Sequence, residues 1–348
     1  MSSRPSTRRS TSSVTMHTVA ERAGVSPMSV SNVINGRRVS LRTREAVMQA
    51  IVDLNYKPNI AARALASASS IRIGLLYNSP ESAFVSALLV GAFDAATRFG
   101  AHLMIQRVEE GRALGDTLRD MVDSGANAII LPAPYCEAVS GTGLVEKLGV
   151  PLVGLCSGSA LSDMPSVRVD DVAAAREMTS YLIGLGHRRI GFVRGAHNHI
   201  ISRTRFEGYC IALREHGLEY SDDLVVDGDL TFDSGLAATE SLLDLADSPT
   251  AIFASNDDMA AAVVSVAHRR DLRVPDQLSV AGFDDSPISR KIWPTLTTVR
   301  QPIVDMTAIA VETVIGTLGK AYDDALLSTK CVDYALIIRG STGAPRLR

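Results

Sequence analysis

The chain has no run approaching the ~18 consecutive apolar residues of a membrane helix, although 46% of its 348 residues are hydrophobic. A helical membrane protein is excluded, and ample material remains for packed cores. Cysteine is scarce. Cys136, Cys156, Cys210 and Cys331 stand far apart and form no CxxC pair. That argues against a disulfide scaffold or a zinc site and for reduced thiols in the cytoplasm. The N-terminal MSSRPSTRRSTSS has no apolar signal core, so residues 1–14 read as a disordered tail rather than an export signal. Catalytic signatures are missing too. There is no G-x-S-x-G and no Walker sequence, and GTGLVE at 141–146 lacks the third glycine and following acidic residue of a dinucleotide fingerprint. His197 and His199 are the nearest thing to a metal pair, without a third ligand at fixed spacing. Asp257–Asp258 and Asp284–Asp285 offer paired carboxylates, which at turns serve more often as caps and ligand acceptors than as acid–base pairs. No enzyme activity, cofactor or metal is expected.

What is present is uneven in charge. The net charge is −3, yet residues 1–70 hold ten Lys/Arg against three Asp/Glu, and the remainder holds 25 against 35. A basic head on an acidic body suits a protein that holds phosphate with one end only. Within that head, Val19, Ala20, Ala23, Val30, Val33 and Ile34 recur at helical spacing on either side of Gly24–Val25. Gly24 allows the positive φ of a tight helix–helix turn, Ser26 can cap the second helix, and Pro27 fits its first position. This pattern predicts a helix-turn-helix, whose second helix lies in a DNA major groove. A third helix follows Ser40, with Ala46, Val47, Ala50, Ile51 and Leu54 as its apolar stripe and Tyr56 closing the small core. Pro58–Asn59 then starts the Ala-rich segment IAARALA. Alone that segment is marginally helical at best, and DNA is the obvious support for its folding.

After the polar linker Ser67–Ser70 the texture changes. IRIGLLY (71–77), residues 101–107, AIILPA (128–133) and PLVGLC (151–156) read as strands separated by helices, the first helix at 82–98 with Phe84, Leu88, Phe93 and Ala96 inward. A second block of the same rhythm follows SVRVDD (166–171). Tandem βαβ blocks imply two lobes of parallel sheet covered by helices, with ligands beyond the C-terminal strand ends.

The stretches TVAERAGVS, SVS, VIN, TRE, YKPN and AARALA resemble the DNA-binding headpiece of the LacI/GalR family of bacterial transcription regulators. The resemblance runs from about Val14 to Ile338 and includes HRRIGFVRG, ASNDDMAAAV, RVPDQLSVAGFDD and PTLTTVRQP. It implies an all-α helix-turn-helix headpiece at 15–58, a hinge helix and linker at 59–70, and a two-lobed periplasmic-binding-protein-like α/β body with parallel sheets at 71–338. The N-lobe is expected over about 71–165 and 298–325, the C-lobe over about 166–297 and 326–338, with a tail at 339–348. The function it implies is that of a regulator in the family's repressor mode, acting on palindromic operator DNA under control of a small-molecule effector such as a sugar or glycoside. Release by an inducer and tightening by a corepressor are both open. A transport-type solute-binding protein is the rival reading, opposed by residues 15–66. A homodimer is expected, because the short hinge needs a partner; the tail RGSTGAPRLR lacks the heptads of a tetramerising helix.

Carried over residue by residue, Pro27, Met28 and Asn32 take the base-reading positions of the second helix. Proline donates nothing, methionine offers apolar contact, and Asn32 suits an adenine edge. Ser29, Ser31, Asn35, Arg37, Arg38, Arg42, Arg44 and Lys57 are candidate backbone contacts or caps, and Leu65 resembles the hinge leucine wedged into the minor groove. In the body, Asp284 of GFDD, Arg205 of RTRFEG and Asn256 of SNDD match effector-binding positions, with Phe84 as a stacking wall. Cys156, in GLCSG, stands near a strand end where several relatives carry an aspartate, which speaks against a lactose-like site. Leu230 and Phe232 could add apolar contact, and Trp293, the only tryptophan, either lines the cleft or packs structurally.

Overall fold

The computed structural model describes residues 15–34, 39–54, 56, 71–77, 82–109, 111–318 and 327–345. The chain divides after Ser70 into two compact units.

The first unit is helical. Helix α1 (Met16–Ala23) is capped reciprocally: the Thr15 hydroxyl accepts from the Thr18 amide and the Thr18 hydroxyl from the Thr15 amide, both at 3.3 Å. It ends at Gly24 with φ +65°, the left-handed conformation only glycine adopts without strain. Helix α2 (Pro27–Ile34) begins with Ser26 accepting from the Ser29 amide at 3.2 Å, and α3 (Leu41–Asp53) with Ser40 accepting from the Thr43 amide at 3.1 Å. Val19, Ala20, Val30, Val33, Val47 and Ala50 form the buried core, and Tyr56 packs against it. An ion pair of 2.8 Å between Arg22 and Asp53 ties α1 to α3.

The second unit holds two six-stranded sheets. The first contains β1 (Arg72–Tyr77), β2 (His102–Arg107), β3 (Ala128–Pro132), β4 (Leu152–Leu155), β5 (Ser166–Arg168) and β11 (Thr329–Cys331), in the order β11-β5-β4-β3-β1-β2, all parallel. The second contains β6 (Ile190–Arg194), β7 (Val225–Asp227), β8 (Ala251–Ala254), β9 (Ser279–Asp284), β10 (Thr297–Arg300) and β12 (Ala335–Ile337), in the order β12-β10-β9-β8-β6-β7, with only the β10–β12 pair antiparallel. The two-residue period of a strand explains why each sheet is covered on both faces. Ile73, Leu75, Ile130, Val153 and Leu155 enter one core while Leu76, Ile129, Leu131 and Leu152 enter another. Ile190, Phe192 and Phe253 divide from Val193, Ile252 and Val280 in the same way.

The helices are α4 (Ala83–Arg98), α5 (Leu114–Asp123), α6 (Tyr135–Val139), α7 (Leu144–Leu148), α8 (Asp171–Gly184), α9 (Ile200–Glu215), α10 (Phe232–Leu243), α11 (Asp257–Arg269) and α12 (Ile303–Gly316). Helix α4 buries Leu88, Ala92, Ala95 and Ala96. Phe93, expected inward, is 62% exposed, because it lies one helical step off that stripe. Gly91 lets α12 approach closely: a Cβ there would stand 3.1 Å from the Val304 Cα.

The lobe boundaries differ from those the resemblance implies. Ser166–Arg168, expected to open the C-lobe, is a strand of the first sheet; Thr298–Arg300, expected in the N-lobe, belongs to β10 of the second; and Thr329–Cys331, expected in the C-lobe, is back in the first. The reason is backbone pairing. Each strand stays in its sheet as long as its ladder lasts (Leu155 with Val167, Arg300 with Asp284, Cys331 with Arg168). The chain changes lobe only beyond those last pairs.

Candidate functional site

On the headpiece, the start of α2 presents Pro27 and Met28 to solvent, Met28 with 68% of its surface exposed. Asn32, one turn on, is half-buried. Ser29 and Ser31 are half-buried, and the Ser29 hydroxyl lies 3.0 Å from that of Ser26, so its first role is in the turn. Arg42 and Arg44 are exposed on α3. Asn35, Arg37, Arg38, Lys57 and Leu65 lie outside the described residues.

The body carries a cavity of about 190 Å³ between its two lobes. It is assembled where strands of both sheets end: Tyr77 closes β1, Cys156 follows β4, Asp229 lies beyond β7, Asn256 beyond β8, Asp284 ends β9 and Gln301 follows β10. Parallel strands point all their C-terminal ends one way, so two such sheets facing each other concentrate turn residues in one cleft. Phe84, Val85 and Leu88 of α4 supply the apolar wall. Several turns are strained. Cys156, Leu230 and Asp284 have φ of 56°, 74° and 111°, conformations that non-glycine residues hold only when the surroundings enforce them.

Arg205 and Asp284 meet at the floor. Arg205 is buried; its Nε donates to Asp171 Oδ1 at 2.8 Å and its Nη1 to the Ser255 carbonyl at 2.6 Å. Nη1 also stands 3.8 Å from Asp284 Oδ1, and the guanidinium lies over the Phe283 ring at 3.6 Å. Gln301 Nε2 donates to Asp284 Oδ1 at 2.7 Å. Burial pushes the Asp284 carboxyl up to about 6, Arg205 and Gln301 opposing the rise. Burial raises Asp171 as well, against the pull of Arg205. The Cys156 thiol is pushed up by burial and then by Asp171 and Asp284, so it stays protonated, a weak donor. Asn256 caps α11 by accepting from the Met259 amide at 3.0 Å, while its Nδ2 donates to the Leu230 carbonyl at 2.7 Å.

Phe84, Cys156, Arg205, Leu230, Asn256 and Asp284 thus share one cavity. Phe232 and Trp293 do not line it. Leu230 takes the positive-φ turn and Thr231 caps α10, which leaves Phe232 as an outward, 38%-exposed first helical residue. Trp293 is 82% exposed and lines a separate shallow depression with Leu272 and Pro275. Truncating either ring to alanine is therefore expected to leave effector affinity unchanged in calorimetry; a loss with Trp293→Ala would contradict the placement. Sequence reasoning missed Asp229 and Gln301, which the strand-end rule that found Asp284 could have supplied. It also missed Tyr135 and the partner Asp171, for which no local signal exists, and took His199 only as half of a metal pair, whereas it lines the cavity. Asp257 and Asp285, the other halves of the carboxylate pairs, are engaged in the framework. Asp257 accepts from Thr298 at 2.6 Å and from the Ser286 amide at 2.7 Å; Asp285 accepts from Arg339 at 2.6 Å and Arg300 at 2.7 Å.

Two family descriptions match the chain: "Bacterial regulatory proteins, lacI family" over residues 15–59 and "Periplasmic binding protein-like domain" over residues 179–342. Catabolite control protein A of Priestia megaterium is 34% identical over 315 residues, covering 90% of this chain and 95% of that protein. The transcriptional regulator CelR of Thermobifida fusca is 34% identical over 303 residues, covering 83% and 87%. Among solved structures, the Lac repressor dimer bound to operator and an anti-inducer superposes with a TM-score of 0.78 at 27% identity, covering 96% of this chain and all of that one. The CelR–cellobiose complex superposes at 0.70 with 28% identity, covering 94% and 99%. These relatives are transcription regulators rather than enzymes. With a matching headpiece, a matching body and a relative this similar along nearly the whole length, the chain belongs to the lacI family of bacterial regulatory proteins.

Proposed function

We propose that this regulator is a repressor whose affinity for a palindromic operator is set by a small polyhydroxylated effector, a sugar or glycoside, held between the lobes of its body. The observation that carries this reading is the cavity built from strand ends of both sheets, with Asp284, Asn256 and Arg205 on one side and the Phe84 wall on the other. Carboxylate and amide groups match hydroxyls, and an aromatic face covers the apolar side of a sugar ring. Two relatives support the class: one structure is a complex with cellobiose, another is a dimer on operator DNA. A ligand there shifts operator affinity only if it prefers one of the protein's two states. A dimer matches the symmetry of such an operator, and a protein that works on DNA belongs in the cytoplasm; residues 59–70, expected as hinge and linker, lie outside the described residues.

The test is operator binding by the full chain with and without candidate sugars. Asp284→Ala should still bind operator but in one fixed state; a variant that still answers the sugar would refute the cleft assignment. On the headpiece, Asn32→Ala should cost roughly 1–3 kcal/mol on the preferred operator and relax one base position. Arg42→Ala should weaken all DNA about equally, through loss of a phosphate contact. Base-substitution selection checks both, and identical preferences for wild type and Asn32→Ala would remove Asn32 from the reading set.

A further inference from the structure

The charge inventory of the cleft narrows the effector class, on the reading that the cleft is the effector site. Among the described residues, Arg205 is the one Lys or Arg side chain that lines the cavity. It is already committed. Its Nε holds Asp171, its Nη1 holds the Ser255 carbonyl and faces Asp284, and its flat face covers Phe283. Two carboxylates line the same cavity. Asp284 sits at the floor, with Gln301 and Arg205 on its Oδ1. Asp229 is exposed at the rim, where it accepts from the Thr231 amide at 2.9 Å and the Thr231 hydroxyl at 2.5 Å. Those bonds hold the Asp229 carboxyl below its usual range, so it is ionised wherever the protein functions. His199, the other basic group on the lining, is pushed down by burial and stays neutral. Among the described residues, the cavity lining therefore holds two carboxylates, Asp229 and Asp284, and one guanidinium, which Asp171 behind it already engages.

We infer that the effector is a neutral or amine-bearing polyol, and that the cleft discriminates against sugar acids and sugar phosphates. A ligand hydroxyl or ammonium donates to Asp284 and Asp229 without breaking any bond described above. A carboxylate or phosphate meets uncompensated negative charge, and the one cation is held by Asp171. At an effective dielectric of about 20, like charges a few ångströms apart weaken binding by roughly tenfold or more.

The experiment is calorimetry on the full chain with glucose, galactose and mannose, each as the neutral sugar, the 2-amino sugar, the uronate and the 6-phosphate. Hits are expected among neutral or amino forms, with the matched anions roughly tenfold weaker or silent. In Asp229→Asn the gap between a neutral sugar and its anion should narrow, because one rim charge is gone. An anionic member that binds more tightly than its neutral parent, and loses that binding in Phe84→Ala, overturns the charge rule while leaving the cleft as the effector site. A panel silent in all four forms overturns the sugar reading itself, and this inference with it.

Discussion

Arg205→Ala is expected to destabilise the body by about 3–5 kcal/mol, more than any loss of ligand contact would explain. The guanidinium is buried, and its Nε bond to Asp171 joins two side chains that are each 3% exposed. Removing it strands the Asp171 carboxylate without its charge partner, frees the Ser255 carbonyl and uncovers the Phe283 ring. Truncating one member of a buried pair is the costly case, because the surviving charge keeps its desolvation penalty. The double variant Arg205→Ala/Asp171→Ala should recover part of the loss, giving a coupling of a few kcal/mol in a double-mutant cycle. Denaturant unfolding of the full chain, followed through the body's transition, measures both. A single variant within about 1 kcal/mol of wild type would show that Arg205 is not a framework residue. The same geometry changes how binding data on Arg205→Ala are read: a missing response in that variant reports a damaged floor before it reports a missing ligand contact.

Asp284→Asn should act in the opposite direction, raising stability near pH 7 by about 2–3 kcal/mol while abolishing the effector response. The figure follows from a carboxyl whose pKa stands near 6 in the fold against 3.8 outside it, at 1.36 kcal/mol per pH unit. The sign follows from linkage. A raised carboxylate pKa means the folded protein binds the proton more tightly than the unfolded chain does. Folding is therefore penalised wherever the group must ionise in the fold. That penalty is complete above about pH 6, shrinks as pH falls from 6 toward 3.8, and vanishes below. The asparagine variant carries no such penalty, so its advantage should be present at pH 7 and fade toward pH 4. Unfolding midpoints at three pH values decide this. An advantage independent of pH would mean that the ionised carboxylate is not the source of the strain. The gain is expected to coincide with loss of function, because the burial that penalises Asp284 also places it, at φ 111°, on the cavity floor. Functional carboxylates are often held at such a penalty, which bound ligand then relieves.

The sequence alone determined the local structure and the broad class. Gly24, Ser26, Pro27 and Ser40 announce helix starts and stops through backbone needs met within four residues. Tandem strand–helix rhythm announces two parallel sheets, because a βαβ unit is itself a local device. Asp284, Asn256 and Cys156 were legible as residues at strand ends. Tertiary structure decided everything that depends on which strand ends face one another. Asp171 and Arg205 are 34 residues apart in the chain and share a bond. Gln301 and Asp284 meet only because β9 and β10 are neighbours in the sheet. Phe232 and Trp293 were plausible cleft residues by position, and a helix cap and an exposed turn carry them out of it. The lobe crossings moved for the same reason: they are set by where ladder hydrogen bonds stop, and that depends on the partner strand. Periodicity and capping are properties of a few consecutive residues, so a sequence displays them. Burial, pairing and a raised carboxyl pKa are properties of distant segments brought together, and only the packed chain specifies them.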